Sequence, residues 1–218
     1  MGIMSSLKEA CASKDPSTIV ISQGTYMVGP VKFQGPCKAH STIDDQGTWK
    51  APKDLDKIKS QDGWIMRGWF APCKWAKLSY TTPFKVNKLD HEEYTCDEYF
   101  VPVQIIFQNI DGLALSGGTF DGQGEIAWKE NNCAQTGKCN SLPTNIRFNS
   151  VTGAIIQDIT SLNSKFFHMI LSCKNMTLQD ITINVPETSL NTDGIHIGRS
   201  SRINITDMLG SGILPKTL

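Results

Sequence analysis

The sequence predicts an all-β protein in which short parallel strands stack into a solenoid. The main observation is a degenerate repeat, in which alternating apolar residues are followed by a polar or glycine position. Such alternation is typical of a strand with one buried face. The units end at positions 117, 158, 180 and 207, and spacings of 22 and 27 fit one solenoid coil each, while 41 fits a coil plus a long loop. The four units are Asp111–Gly117, Thr152–Asp158, Lys174–Asp180 and Ser201–Asp207.

A β-sandwich is the alternative, because its strands also recur at short intervals with turns between them. The strands here form closely spaced pairs divided by single polar or glycine positions, and hairpin dipeptides are few. The solenoid is therefore favoured. Residues Ser6–Ala12 predict a short amphipathic helix, which suits the open N-terminal end of such a fold.

Length and charge narrow the functional classes. With 218 residues, the chain predicts a single domain, spanning residues 1–218. Its 21 basic and 21 acidic residues create no overall field for nucleic acid or a membrane surface, and no apolar run approaches the roughly 18 residues of a spanning helix. We expect a monomer with neither a nucleic-acid nor a membrane partner.

The titratable residues suggest no cofactor and no metal. The seven cysteines contain no Cys-x-x-Cys pair, and the histidines show no metal-ligand spacing. We expect core or surface roles for His40, His91 and His168. Asp44, Asp45 and Asp121 are interpreted as turn residues rather than as an acid/base pair.

One segment, residues 66–104, lacks the repeat. It holds 8 of the chain's 18 aromatic residues in 39 positions. A long segment without the repeat inside a compact domain is expected to be functional or foreign. We predict an anomalous insertion that lies outside the solenoid.

Two N-glycosylation sequons begin at Asn175 and Asn204. Together with the cysteines they favour an oxidising, extracellular setting. The first nine residues lack the pattern of a signal peptide, so we expect the true N-terminus to be missing.

Three motifs carry a family resemblance. They are Gly118–Gly124 (GTFDGQG), Trp128–Cys133 (WKENNC) and Asn191–His196 (NTDGIH), extended upstream by Gly29–Phe33 and Gln61–Ile65. Together they resemble plant polygalacturonases of glycoside hydrolase family 28, with the pollen-type exopolygalacturonases nearest. The resemblance implies a right-handed parallel β-helix, polygalacturonate or pectin as the substrate, and an extracellular location in the cell wall.

The resemblance also implies a mechanism and candidate site residues. Hydrolysis in the family is inverting, so a carboxylic acid protonates the departing oxygen while carboxylate activates water. Asp193 matches the first catalytic aspartate, the water-activating base. Asn191 and His196 flank it as candidate substrate-binding residues.

The sequence also departs from the family pattern. Gly-Asp-Asp, Gly-His-Gly and Arg-Ile-Lys motifs do not occur, and Ile213 and Leu214 stand where two aspartates are expected. We therefore predict an incomplete, truncated β-helix that is catalytically inactive as written. The alternative is a non-catalytic pectin-binding β-helix or a pseudogene product. A pectate lyase on the same fold would need a calcium cluster of acidic residues, which we do not find.

Against the family pattern, one residue is missing between His168 and Cys173, and another between Asp207 and Gly210. A one-residue slip reverses the faces of a strand, so we expect apolar side chains to become exposed there. If the 66–104 block is foreign to the domain, its two cysteines are excluded from the disulfide pairing. The spacing of the other five then suggests the pairs Cys11–Cys37 and Cys133–Cys139, with Cys173 as a buried free thiol.

Overall fold

The structure is a computed structural model that describes residues 2–54, 76–78, 84–86, 103–130, 142–186, 189 and 194–211. In these described ranges short strands follow one another along the chain, and two helices interrupt them. The elements are α1 (Ile3–Ala12), β1 (Ser17–Ile21), β2 (Thr25–Met27), β3 (Val31–Gln34), β4 (Ser41–Lys50), β5 (Ala76–Leu78), β6 (Phe84–Val86), β7 (Val103–Gln108), β8 (Leu113–Asp121), α2 (Glu125–Glu130), β9 (Thr144–Gln157), β10 (Thr160–Leu162), β11 (Met169–Gln179), β12 (Thr182–Asn184), β13 (Ile195–Ile197) and β14 (Ser201–Ser211).

Apart from β5 and β6, the described strands form three parallel sheets around a common interior. Sheet A contains β3, β7, β13 and the first parts of β9 and β11. Sheet B contains β1, the first parts of β4, β8 and β14, and the second parts of β9 and β11. Sheet C contains β2, β10, β12 and the last parts of β4, β8 and β14. The chain visits A, B and C in turn, which confirms the predicted parallel β-helix over the sandwich.

The predicted repeat units lie in register on sheet B. Lys174 pairs with Thr152 on one side and Ser201 on the other, and Asp111 bridges to Thr152. The residue that ends each unit, a glycine or an aspartate, lies at the corner between sheets B and C, and its φ is positive. Glycine and aspartate tolerate this left-handed conformation better than most residues. The values are 76° for Gly117, 57° for Asp158, 51° for Asp180 and 53° for Asp207.

The interior is built of rows that run along the helix axis. On sheet A the rings of Phe33, Phe107 and Phe148 stack, with centroids 4.6 and 5.1 Å apart. The register continues this row through Leu171 to Ile197. Burying each large apolar side chain stabilises the fold by about 1.5–3 kcal/mol, and aromatic stacking adds about 0.5–1.5 kcal/mol per pair. Side-chain rows of this kind hold successive coils in register.

Helix α1 covers the N-terminal end of the interior, as predicted, and begins three residues earlier than expected. Leu7 packs against the core, and a cavity of about 80 Å³ remains beneath the helix. The predicted Cys11–Cys37 disulfide is confirmed and ties the end of α1 to the segment after β3. Cys133 and Cys139 lie outside the described residues.

The predicted exposure of apolar residues near Cys173 is wrong. A register shift between Ser172 and Cys173 leaves Ser150 of the neighbouring strand unpaired, and this bulge absorbs the missing residue. Leu171 and Cys173 therefore stay buried. Cys173 is a buried free thiol, as predicted. In the other shortened stretch Met208 is buried, whereas Leu209 faces outward and is 56% exposed.

Two short strands from the 66–104 segment are described. β5 pairs antiparallel with β13, and β6 pairs antiparallel with β14. Val103 and Gln104, the last residues of the predicted block, already belong to β7. The other predictions for this block lie outside the described residues. In the part of the chain that the structure describes, no helix is long and apolar enough to cross a membrane.

Candidate functional site

The sequence motifs meet at one corner of the β-helix, where the chain passes from sheet C to sheet A. We call these connections the C–A turns. One follows β8 and contains α2, the next is residues 163–168, and a third ends at Gly194, where β13 begins. Gly124 of the first motif and Gly194 of the last, which are 70 residues apart in sequence, therefore lie in coils separated only by the coil that holds the 163–168 turn.

The GTFDGQG motif is shaped by close packing. A Cβ at Gly122 would lie 2.3 Å from Oδ1 of Asn145, so only glycine fits there. The Asn145 Nδ2 group donates to the Phe120 and Leu162 carbonyls, both at 3.1 Å, and to Ser161 Oγ at 3.0 Å. This buried amide joins sheet C to the start of β9, which fixes the corner.

Asp45 and Asp121 each accept a local turn hydrogen bond, as predicted. The same prediction is wrong for Asp44, which lies within β4 and pairs with Val20 and Ser116. Asp45 Oδ1 accepts a hydrogen bond of 2.9 Å from the Gly47 amide, and Asp121 Oδ1 accepts one of 3.0 Å from the Gln123 amide. Asp45 is nevertheless buried inside the corner between sheets B and C, and desolvation raises the pKa of its carboxyl group. A Cβ at Gly118, whose φ is +92°, would lie 2.5 Å from Asp45 Oδ2.

Lys165 is a buried lysine in the middle C–A turn. Its side chain is 1% exposed, and Nζ donates to the Gly122 carbonyl of the preceding coil. Burial lowers the pKa of Lys165 to about 8, although the negative charge of Asp121 opposes the shift. The amine therefore links two adjacent C–A turns.

His168 lies fully buried at the end of the same turn, consistent with the expected core role. Its Nδ1 is 2.8 Å from Ser161 Oγ, the hydroxyl that also accepts from Asn145. Burial lowers the pKa of His168 to about 3, so the imidazole is neutral at ordinary pH. Its Nε2 has no hydrogen-bond partner among the described residues.

The candidate catalytic residue Asp193 and the candidate substrate-binding residue Asn191 lie outside the described residues. The structure does place the end of their motif. The Gly194 carbonyl accepts a 3.0 Å hydrogen bond from the Met169 amide, and Ile195 then enters β13. The NTDGIH motif therefore joins sheet A directly beside the 163–168 turn.

His196 occupies an outward position of β13, opposite Ile170. Its ring stacks on Phe167, with centroids 3.6 Å apart and an interplanar angle of 29°. The residue is only 4% exposed. A sugar would reach this imidazole only after neighbouring groups move.

Both predicted glycosylation residues are exposed and lie away from the C–A turns. Asn204 is on sheet B, where it pairs with Thr177, and Asn175 precedes that threonine at the corner between sheets A and B. Within the described part of the chain, no group of three or more acidic, histidine or cysteine residues could hold a metal ion.

Sequence reasoning did not predict the buried polar groups of the C–A turns, namely Asn145, Lys165 and the contacts of His168. The sequence offers one signal. Ser161 stands where Ile183 stands in the next coil, because these two residues pair across sheet C and both are fully buried. A hydroxyl in an apolar row indicates a polar partner inside the coil.

Comparison with known proteins places the chain in a family. The profile of glycosyl hydrolases family 28 matches residues 11–209. The chain is 44% identical over 201 residues to "Exopolygalacturonase clone GBGA483" of Arabidopsis thaliana, covering 91% of the chain and 36% of the relative. It is 40% identical over 209 residues to an exopolygalacturonase of Platanus acerifolia, covering 94% of the chain and 44% of the relative. The chain belongs to glycosyl hydrolase family 28.

The fold also agrees with two solved structures. An endo-xylogalacturonan hydrolase from Aspergillus tubingensis superposes with a TM-score of 0.62 at 18% identity, covering 95% of this chain and 47% of that one. A polygalacturonase from Erwinia carotovora ssp. carotovora gives a TM-score of 0.57 at 18% identity, covering 94% and 58%. The chain spans less than half the length of the two plant relatives named above.

Proposed function

We propose that this chain is part of an exopolygalacturonase that hydrolyses α-1,4-galacturonosyl bonds of polygalacturonate and pectin. The observation that carries the proposal is the NTDGIH motif at the entrance to β13, in a chain 40–44% identical to plant exopolygalacturonases. Asp193 is the proposed water-activating base of an inverting reaction. Asn191 and His196 are the proposed substrate-binding residues.

A base alone does not complete inverting hydrolysis, because a second carboxyl group must protonate the departing oxygen. No Gly-Asp-Asp sequence occurs in these 218 residues. General acid and base groups each contribute about 10²–10⁴-fold to the rate. We therefore propose that the 218-residue chain, tested alone, does not hydrolyse polygalacturonate.

A chimaera tests the role of Asp193. Residues 1–207 are joined to the part of the Platanus acerifolia exopolygalacturonase that follows its matching position, and reducing ends released from polygalacturonate are measured. We expect activity from the chimaera and a loss of at least about 10²-fold on Asp193→Asn. Asp180→Asn, at a B–C corner, is the matched control. An Asp193→Asn chimaera as active as that control would refute the assignment.

The second candidate is a non-catalytic β-helix that binds pectin, favoured by the missing second carboxylate motif. Binding of trigalacturonate by the 218-residue chain, together with an inactive chimaera, would support it. Hydrolysis by the chimaera would favour the enzyme.

We also propose an extracellular, cell-wall location and a monomeric state. The Cys11–Cys37 disulfide supports an oxidising compartment, where such bonds persist. The exposure of Asn175 and Asn204 is compatible with glycosylation there.

A further inference from the structure

The last coil of the described β-helix is bordered by strands that come from an earlier part of the chain. In sheet A, β13 pairs in parallel with β11 and antiparallel with β5. In sheet B, β14 pairs in parallel with β11 and antiparallel with β6. All other pairings between the described strands are parallel. β5 and β6 therefore occupy the edge on which a further parallel coil would stack.

The backbone of β13 shows which of its groups face β5. The Gly194 carbonyl accepts a 3.0 Å hydrogen bond from β11, and the Gly198 amide donates one of 2.9 Å to β11. Successive residues of a strand point their N–H and C=O groups to opposite edges. Ile195 and Ile197 therefore present theirs on the edge away from β11, which is the edge that β5 occupies.

The register assigns the backbone contacts between β5 and β13. Ile197 lies opposite Ala76, and Ile195 lies opposite Leu78. In an antiparallel ladder, two opposed residues whose groups face each other exchange both N–H···O bonds. Lys77 lies between these two pairs, so its own N–H and C=O point away from β13. Proline at Ala76 and proline at Lys77 thus remove an N–H from opposite edges of the same strand.

We infer that β5 and β6 form a strand cap, which closes sheets A and B at this end of the β-helix and prevents a second copy of the chain from pairing there. An uncovered sheet edge is a template for association with another chain, and solenoids need capped ends. The cap occupies the backbone groups of β13 and β14 that a strand of another molecule would use. The inference goes beyond the proposed function and does not depend on it.

The sequence of the cap fits this role. Each of its strands is three residues long and has a lysine in the middle, Lys77 in β5 and Lys85 in β6. Very short edge strands and lysines on the edge are two means by which natural sheets avoid edge-to-edge pairing. The outer edge that the cap presents is therefore a poorer template than the edge of β13 that it covers.

Amide hydrogen exchange of the 218-residue chain, followed residue by residue by NMR, tests the cap. We expect the Ile195 and Ile197 amides to exchange at least about 10²-fold more slowly than exposed amides, because they are bonded to β5. Ala76→Pro removes a donor to β13 and should speed the exchange of both amides by at least about tenfold. The His196 amide, which faces β11, should not change. Lys77→Pro is the matched control and should leave all three amides as in the wild type.

Light scattering over a range of protein concentrations tests what the cap prevents. Ala76→Pro should associate at concentrations at which the wild type and Lys77→Pro are monomeric. If the wild-type Ile195 and Ile197 amides exchange as fast as exposed ones, the cap is refuted without any variant. If Ala76→Pro loses the protection of both amides and yet stays monomeric, the protective role is refuted. Both measurements are independent of hydrolysis by the chimaera, so the proposed function is tested separately.

Discussion

The buried amine of Lys165 should make the fold more stable as the pH rises above neutrality. Burial lowers its pKa to about 8, against 10.5 in the unfolded chain. Between these values the unfolded chain holds a proton that the folded protein has lost, so the free energy of unfolding increases with pH there. This difference in pKa corresponds to about 3 kcal/mol in total. Below pH 8 both states are charged, and the stability does not depend on this group.

Lys165→Met removes the charge and the hydrogen bond to the Gly122 carbonyl together. At pH 7 the two losses have opposite effects on stability. Removing the buried charge stabilises the fold, whereas leaving the Gly122 carbonyl without its donor destabilises it by about 1–3 kcal/mol. At pH 10 the wild-type amine is neutral, so only the loss of the hydrogen bond remains. The variant should therefore become less stable relative to wild type by about 2–3 kcal/mol between pH 7 and 10.

The assay is urea unfolding of both proteins at half-unit steps from pH 7 to 10. Cys173 acts in the opposite direction, because burial raises its pKa from 9.0 to about 11 and stability falls as the pH rises through that window. Both proteins contain Cys173, so their difference removes its contribution. A difference in unfolding free energy that stays constant from pH 7 to 10 would refute the reasoning.

Three further predictions concern stability. His168, with a pKa of about 3 when folded and 6.5 when unfolded, should lower the free energy of unfolding by about 2 kcal/mol between pH 6.5 and 4.5, and unfolding of His168→Gln should show a weaker acid dependence. Replacing Cys11 and Cys37 by serine should lower the free energy of unfolding by about 3–4 kcal/mol, since the bridge spans 26 residues; unchanged urea midpoints would contradict this. Gly122→Ala should destabilise the fold by about 1–3 kcal/mol, because Asn145 Oδ1 occupies the Cβ position; Gly24→Ala, near only a tyrosine ring, should change the melting temperature less.

The repetitive part of the fold could be predicted from the sequence for a physical reason. Each strand of sheet B buries one face and ends at a left-handed corner, so alternation followed by glycine or aspartate recurs once per coil. Aligning the unit that begins at Thr152 with the unit that begins at Lys174 predicts the same residue pairs that the two strands form in sheet B. The same rule failed near Cys173, because a bulge corrects a missing residue and alternation alone does not reveal bulges.

The site was less predictable, since the C–A turns have no repeat. The NTDGIH motif was found by resemblance, whereas the buried contacts of Lys165 and Asn145 depend on segments that meet only after the coils stack. Residues that are neighbours on the outer side of sheet A are likewise far apart in sequence. Lys32 and Ile106 pair across adjacent strands although 74 positions separate them in the chain. Only the register brings them into one row.

The residues that break the apolar pattern of the interior cluster at the corner that carries the candidate site. Asn145, Lys165 and His168 are buried polar groups in or beside the C–A turns, while the inner row of sheet A from Phe33 to Ile197 buries phenylalanine and aliphatic side chains. A buried amine or amide is less stabilising than a well-packed apolar residue unless it fixes a particular geometry. Natural proteins tolerate such violations mainly where function requires a specific shape. On this reasoning the polar corner holds the turns that position the NTDGIH segment, and apolar replacements there should disturb the site more than they disturb the fold.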